Sequence, residues 1–319
     1  MLRLTARVEI QSGKRWVFDK LAACEITRDS ETLTDTCTIT LPRKVTWQGE
    51  SANPLKRGDA ITVWLGYNDK LQLAFKGYIT TIGLKAPITI KCEDEMFSLK
   101  QVAAKQTAYK AATIEQILKD QDLRGLQFKV YGEQNVGQYR VTAKTVTELL
   151  SHLKENGIRS FIKLVDGQPV LYSGVLFPSQ TGHEQVFCTG INIVSDSSLE
   201  TQNAADVLLK VKAVSMRPDN KKIKVEVGDA DGEKRTMHTY NKTEQELKAW
   251  AEQELARLKR DGLTGSFTTF GHVLIDKLDN VGIKIDGERK GIYQITKNVI
   301  KYDTGGFRQE LTIGNRVAE

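Results

Sequence analysis

Along the first hundred residues, apolar and polar positions alternate in short runs broken by turn residues. Residues 22–27 and 35–41 are two such runs around the polar turn Asp29-Ser30-Glu31. Residues 59–65, 71–82 and 87–92 follow, separated by Gly66-Tyr67-Asn68-Asp69-Lys70 and by residues 83–86. Residues 45–57, with Gly49, Asn53 and Pro54, read as loop. Residues 1–10 alternate in the same way and lack the apolar run of a signal peptide, so they predict a first strand in a protein that folds in a cytoplasm. Strands with turn signals about every ten residues predict an antiparallel sandwich or barrel.

The period changes after Asp94. Thr113-Ile114-Glu115-Gln116 reads as a capping box, which predicts a short helix with Ile114, Ile117 and Leu118 on one face. Thr145 with Glu148 opens a second helix, with the stripe Val146, Leu149, Leu150 and Leu153 and a stop at Asn156-Gly157. A hairpin around Asp166-Gly167 joins residues 161–165 and 170–172. From Ile191 the pattern returns to β. Residues 207–214 and 222–227 predict a hairpin around Arg217-Pro218-Asp219-Asn220, and Thr243-Glu244-Gln245-Glu246 opens the longest helix, 243–261. Its buried face is Leu247, Trp250, Ala251, Leu255 and Leu258. Residues 266–270, 281–285, 291–302 and 307–313 are the closing strands.

The two β regions repeat an order of features. Asp59-x-Ile61-x-Val63 leads to Phe75-x-Gly77-Tyr78-Ile79 and on to Ile88-x-Ile90, while Asp279-x-Val281-x-Ile283 leads to Gly291-Ile292-Tyr293-x-Ile295 and on to Phe307-x-Gln309-x-Leu311. Each set follows a hairpin, residues 22–41 in one case and 207–227 in the other. Two similar barrels in one chain present nearly the same surface twice, so three chains in cyclic symmetry present six and can cap a hexameric tube.

Three stretches carry a resemblance to a known family: Arg57-Gly58-Asp59-Ala60-Ile61-Thr62-Val63 with Phe75-Lys76-Gly77-Tyr78-Ile79; Ile88 to Asp94; and Gly291 to Ile295 with Gly306 to Leu311. The chain resembles the phage tail hub family, which includes baseplate hub proteins of contractile tails, late control D proteins and the N-terminal part of type VI secretion spike proteins. The resemblance spans almost the whole chain and implies a mainly β fold with an α+β insertion. Residues 1–104 would be a first tube-like antiparallel β-barrel, 105–188 an inserted α/β domain, and 189–319 a second tube-like barrel carrying the helix 243–261. One departure stands out, because Lys277-Leu278-Asp279-Asn280 occupies the place of Gly58-Asp59, which predicts a different loop geometry in the second barrel.

What the resemblance implies is a structural protein of a virion tail or baseplate, from a phage, a prophage or an injection system, assembled in the bacterial cytoplasm. It would be a homotrimer, with a tail tube protein on one face, a central spike protein on the other and baseplate proteins around it. DNA would pass through its channel without specific binding. Because the chain stops at Glu319, soon after the second barrel, the spike is expected to be a separate protein.

Composition adds constraints. Hydrophobic residues make up 40% and charged residues 27%, the make-up of an ordinary globular protein, and no run approaches the ~20 apolar residues of a membrane helix. The net charge of +6 comes from 46 basic and 40 acidic residues spread along the chain, unlike the clustered Lys and Arg of a dedicated nucleic-acid binder. Cys24, Cys37, Cys92 and Cys188 form no C-x-x-C pair and read as reduced buried thiols, a Cys24–Cys37 disulfide being the alternative.

No nucleotide, esterase or zinc-protease motif is present, and His152, His183, His238 and His272 lack ligand spacing. Asp229-Ala230-Asp231-Gly232-Glu233 resembles part of a calcium loop but lacks the remaining spaced oxygens, so it reads as a turn. Glu93, Asp94 and Glu95 read as the end of a strand and the start of a linker rather than as paired catalytic acids. Trp16, Trp47, Trp64 and Trp250 lack the spacing of a stacking platform, and packing is the expectation for Trp64 and Trp250. The expectation is therefore no enzyme, no catalytic, cofactor-binding or metal site, and no cofactor. A tail-associated cell-wall hydrolase and a nucleic-acid-binding β-barrel protein are the alternatives.

Overall fold

The computed structural model describes residues 3–50, 52–83, 85–132, 135–175, 180–217, 219 and 221–318. Seven strands come first: β1 (Leu4–Ser12), β2 (Lys14–Phe18), β3 (Ala23–Asp29), β4 (Thr36–Thr40), β5 (Ala60–Tyr67), β6 (Lys70–Ile82) and β7 (Thr89–Glu93). They pair antiparallel in the order β3-β4-β7-β6-β5-β1-β2. Alternation fixes which face is buried, since a one-residue slip would turn Val8, Ile10, Ile26, Ile39, Val63 and Ile79 out of the core they fill.

The middle of the chain builds α1 (Met96–Leu99), β8 (Ala108–Thr113), α2 (Ile114–Lys119), β9 (Gln127–Tyr131), β10 (Asn135–Arg140), α3 (Val146–Glu155), β11 (Arg159–Val165) and β12 (Gln168–Gly174). Thr113 and Thr145 cap α2 and α3 as their sequence predicts, accepting from the backbone N–H of Gln116 and Glu148. The expected apolar stripes are buried in one cluster with Met96, Leu99, Ile162 and Leu171. Here β9 and β11 flank β12, and β8 pairs with β10.

The rest of the chain holds β13 (Gln180–Cys188), β14 (Ile193–Gln202), β15 (Leu209–Met216), β16 (Lys222–Gly228), β17 (Glu233–Tyr240), α4 (Glu244–Leu258), β18 (Gly262–Phe270), β19 (Asp279–Ile285), β20 (Glu288–Asp303) and β21 (Gly306–Ala318). The expected α4 starts in a complete capping box and buries Leu247 and Ala251 against β15 and its neighbours. The turn expected at 217–220 includes Pro218 and Asn220, which lie outside the described residues. Strand β13, which the boundary at 188 leaves with the insertion, pairs in parallel with β19.

Leaving β15–β17 and α4 aside, these strands run β14-β18-β21-β20-β19-β13, the order of β3-β4-β7-β6-β5-β1, and they differ at the last position, where β13 runs parallel to β19 and β1 antiparallel to β5. The irregularities recur too. Register shifts at Val63/Trp64 and Ile79/Thr81 in the first set match those at Ile283/Lys284 and Ile295/Lys297 in the second, where β20–β21 carries two more, at Ile292/Tyr293 and Tyr293/Ile295, without counterparts. A β-bulge moves every later side chain, so shared bulge positions are stronger evidence of one repeated module than shared strand count. The hairpin expectation needs correction. The counterpart of β3–β4 is β14–β18, whose connection, residues 203–261, carries a separate three-stranded sheet and α4. Residues 207–227 belong to that insert because local alternation looks the same in any antiparallel pair.

The two modules share one sheet. β20 pairs with β19 through its first half and with β3 through its second, from Lys297↔Asp29 to Tyr302↔Cys24. Ile300, Tyr302 and Phe307 accordingly pack in the first module's core. Among the described residues the pairings form an open path ending at β2 and β14 rather than closed barrels.

Candidate assembly interface

In a chain whose sequence carries no catalytic motif, the informative site is the junction of its modules. It is built around two equivalent turns. Before β5, the Asp59 carboxylate accepts from the Lys56 N–H at 2.6 Å, Asp59 N–H donates to Lys56 O at 3.2 Å, and Gly58 N–H donates to Ile79 O at 2.8 Å. Before β19, the Asp279 carboxylate accepts from Asp276 N–H at 2.8 Å, Asp279 N–H donates to Asp276 O at 3.2 Å, and Leu278 N–H donates to Ile295 O at 2.7 Å. The expected difference in loop geometry is thus corrected: Leu278 adopts the left-handed conformation, φ +68°, where Gly58 has +91°. The strain is held by packing, since Leu278 is buried with Phe161, Val170 and Tyr172 of the insertion.

The second turn also carries charge into the interior. Lys277 is 0% exposed, and its Nζ donates to Asp35 Oδ1 at 2.7 Å. Asp35 precedes β4, so this bond joins the two modules. Lys163 of β11 donates to Lys277 O at 3.0 Å and to Asp279 Oδ1 at 2.8 Å, which ties in the insertion. Arg28 of β3 lies 3.6 Å from Asp276 Oδ1 and donates to Ala74 O at 2.5 Å. Asp94 closes the set: Oδ2 accepts from Asp35 N–H at 2.9 Å and Oδ1 from Met96 N–H at 3.0 Å.

Three cations, Arg28, Lys163 and Lys277, thus meet four carboxyls, Asp35, Asp94, Asp276 and Asp279. Burial pushes Asp94 up to about 8, helped by the Asp35 charge and only partly offset by Lys277 and the two backbone donors. Near neutral pH Asp94 therefore holds a proton. Burial also raises Asp35, with Lys277 pulling against it. Burial alone would raise Asp276 as well, but Arg28, Lys163 and Lys277 together hold it below the usual carboxylate range. Such a cluster stabilises only when complete, because removing one partner leaves an uncompensated buried charge.

The residues weighed for chemistry are dispersed. His152 lies on α3, 4.0 Å from Glu148; His238 is on β17, with burial lowering its pKa; His272 follows β18. The side chain of His183, on β13, is outside the described residues. Asp229 accepts from Leu209 N–H and Lys259 as a turn residue. Glu93 pairs with Lys100 and Glu95 accepts from Tyr78. Asp94 between them was legible only as a strand end, and its burial in the charge cluster had no local signal. Cys24 and Cys37 are free thiols with Sγ atoms 3.8 Å apart, and burial drives the Cys37 and Cys92 thiols up. Trp16 packs edge-on against Trp47, Trp250 packs on the α4 core, and Trp64 is half-exposed on the outer face of β5. Among the described residues no three metal-ligating side chains converge.

No protein-family model matches the chain, and no curated protein matches it in sequence. Solved structures do. A tail protein from Neisseria meningitidis MC58 aligns over 99% of this chain and 97% of its own, with a TM-score of 0.65 and 16% identity. The 43 kDa tail protein of prophage MuSo2 from Shewanella oneidensis covers 97% of each chain, with a TM-score of 0.60 and 16% identity. The E. coli c3393 protein, a type VI secretion component described as structurally similar to the T4 tail proteins gp27 and gp5, covers 93% of this chain and 73% of its own, at 0.54 and 13%. The chain therefore has the mainly β, tail-hub-like fold that its strand motifs resemble.

Proposed function

We propose that this protein is a structural hub of a contractile phage tail or phage-like particle, forming a homotrimeric ring that joins a hexameric tail tube to a central spike. The observation that carries this reading is one strand order, with its bulges, folded twice in one chain. Two equivalent modules per chain let three chains imitate sixfold symmetry. In the same reading, residues 1–104 and 189–319, the latter joined by β13, are the ring modules and the rest of 105–188 is the part that decorates them. The tail-protein fold of its structural neighbours, and the type VI secretion component among them, support a place beside tube, spike and baseplate proteins in the virion tail.

Light scattering of the purified protein at micromolar concentration should give three times the chain mass, and negative-stain images should show threefold rings with a central hole. A clean monomer would refute the ring.

A further inference from the structure

The chain already contains one junction between modules, and its counterpart surfaces are open. At the internal junction β3 lies against the second half of β20, outside β19. In module terms β14 stands for β3 and β6 stands for β20. Strand β14 ends the pairing path with β18 as its neighbour there. The last residues of β6, Thr81 and Ile82, pair with β7 on one side, and among the described residues no strand covers them on the β5 side. Ser198, Glu200 and Thr201, in the half of β14 that corresponds to the paired part of β3, are exposed. We infer that β14 of one copy pairs with the last residues of β6 of the next, repeating between chains the start of the β3–β20 junction within each chain.

The shared bulges fix the register. Ile79 pairs with Cys92 and Thr81 with Lys91, as Ile295 pairs with Ile313 and Lys297 with Thr312. Thr81 and Ile82 therefore hold the places of Lys297 and Asn298. On the other strand, Glu25 pairs with Thr38, itself opposite Lys91, while Ser198 pairs with Ser266, itself opposite Thr312. Counting on, Thr201 and Gln202 hold the places of Arg28 and Asp29. Internally Arg28 faces Asn298 and Asp29 faces Lys297. Between copies, Thr201 then faces Ile82 and Gln202 faces Thr81.

The arrangement is head-to-tail, so it closes into a ring or runs on into a filament, never a twofold dimer. The turns agree with it. Lys277 grips the first module across the internal junction, and its counterpart Arg57 is exposed, stacked over Phe97 at 5.6 Å and placed to reach the next copy.

This inference rests on the ring reading, and cysteine pairs separate the two. In a Cys188→Ser background, Thr201→Cys with Ile82→Cys should form intermolecular disulfides on mild oxidation. The expected result is a reducible ladder on a denaturing gel whose top band matches the light-scattering mass. Each single variant should stay unlinked. Thr81→Cys with Gln202→Cys, one step along the register, should also link, and Ile82→Cys with Ile191→Cys should not. Unchanged circular dichroism and melting establish that each variant is folded. Oligomers by light scattering without in-register links would overturn the strand pairing and spare the ring; a monomer would overturn both.

Discussion

Residues 56–59 and 276–279 open the same strand of the two modules with the same turn, hydrogen bond for hydrogen bond. Their side chains part company. In the first module Lys56, Arg57 and Gly58 face solvent, and glycine takes the left-handed position without strain. In the second, Lys277 is buried against Asp35, and a leucine is forced into the left-handed position to fill a cluster with Phe161 and Tyr172. A duplicated module keeps its backbone but respecialises its side chains. One copy of the turn locks the chain together, and the other is left at the surface.

The largest effect expected from this contrast is at Lys277. Lys277→Ala strands Asp35 in the interior and should cost about 3–5 kcal/mol in denaturant unfolding. Arg57→Ala, at the equivalent place, should leave the midpoint of the monomeric fold nearly unchanged. Replacing both members of the pair, Lys277→Met with Asp35→Leu, should recover most of the loss, because two matched apolar groups leave no charge unpaired. Equal costs at Lys277 and Arg57 would break the comparison.

The same cluster makes stability depend on pH. Asp94 titrates near 8 when folded, well above its ordinary value near 4. Between these values the folded state holds a proton that the unfolded chain has released, so this contribution is complete below about pH 4 and is lost as pH rises through about 8. Its slope is at most about 1.4 kcal/mol per pH unit. Asp94→Asn should flatten unfolding midpoints measured between pH 5 and 8; an unchanged slope would mean that Asp94 is already ionised there.

The legible parts of the molecule are those written in local pattern. Thr113, Thr145 and Thr243 cap helices because a capping oxygen and the apolar stripe after it lie within a few residues. The repeat from β5 to β7 and β19 to β21 was visible because its turns and alternation are compact. What could not be read is non-local. The β14–β18 hairpin is split by residues 203–261, so local pattern places the counterpart of β3–β4 in the nearer pair β15–β16. The β3–β20 pairing joins residues far apart in sequence. Buried Arg28, Lys163 and Lys277 look like surface charges until their partners, contributed by other parts of the chain, are in place. Leu278 in a turn offered no hint of a left-handed backbone, since that conformation is imposed by the core around its side chain.

A smaller pair of changes tests that last point. Leu278→Gly relieves the backbone and empties part of the cluster, two effects of opposite sign. Left-handed strain in a leucine costs about 1–2 kcal/mol, whereas removing a buried leucine side chain costs about 2–5 kcal/mol. The variant should therefore lose about 0–4 kcal/mol. Gly58→Ala isolates the backbone term, because a Cβ there meets nothing within 4 Å; it should lose about 1 kcal/mol. If Leu278→Gly proves the more stable form, packing does not hold the strained turn, and the insertion contributes little to locking the second module. If Gly58→Ala is neutral, the first turn is loose enough to relax. The two turns would then share a hydrogen-bond pattern without sharing its rigidity, and the internal junction would be a poorer template for the one between chains.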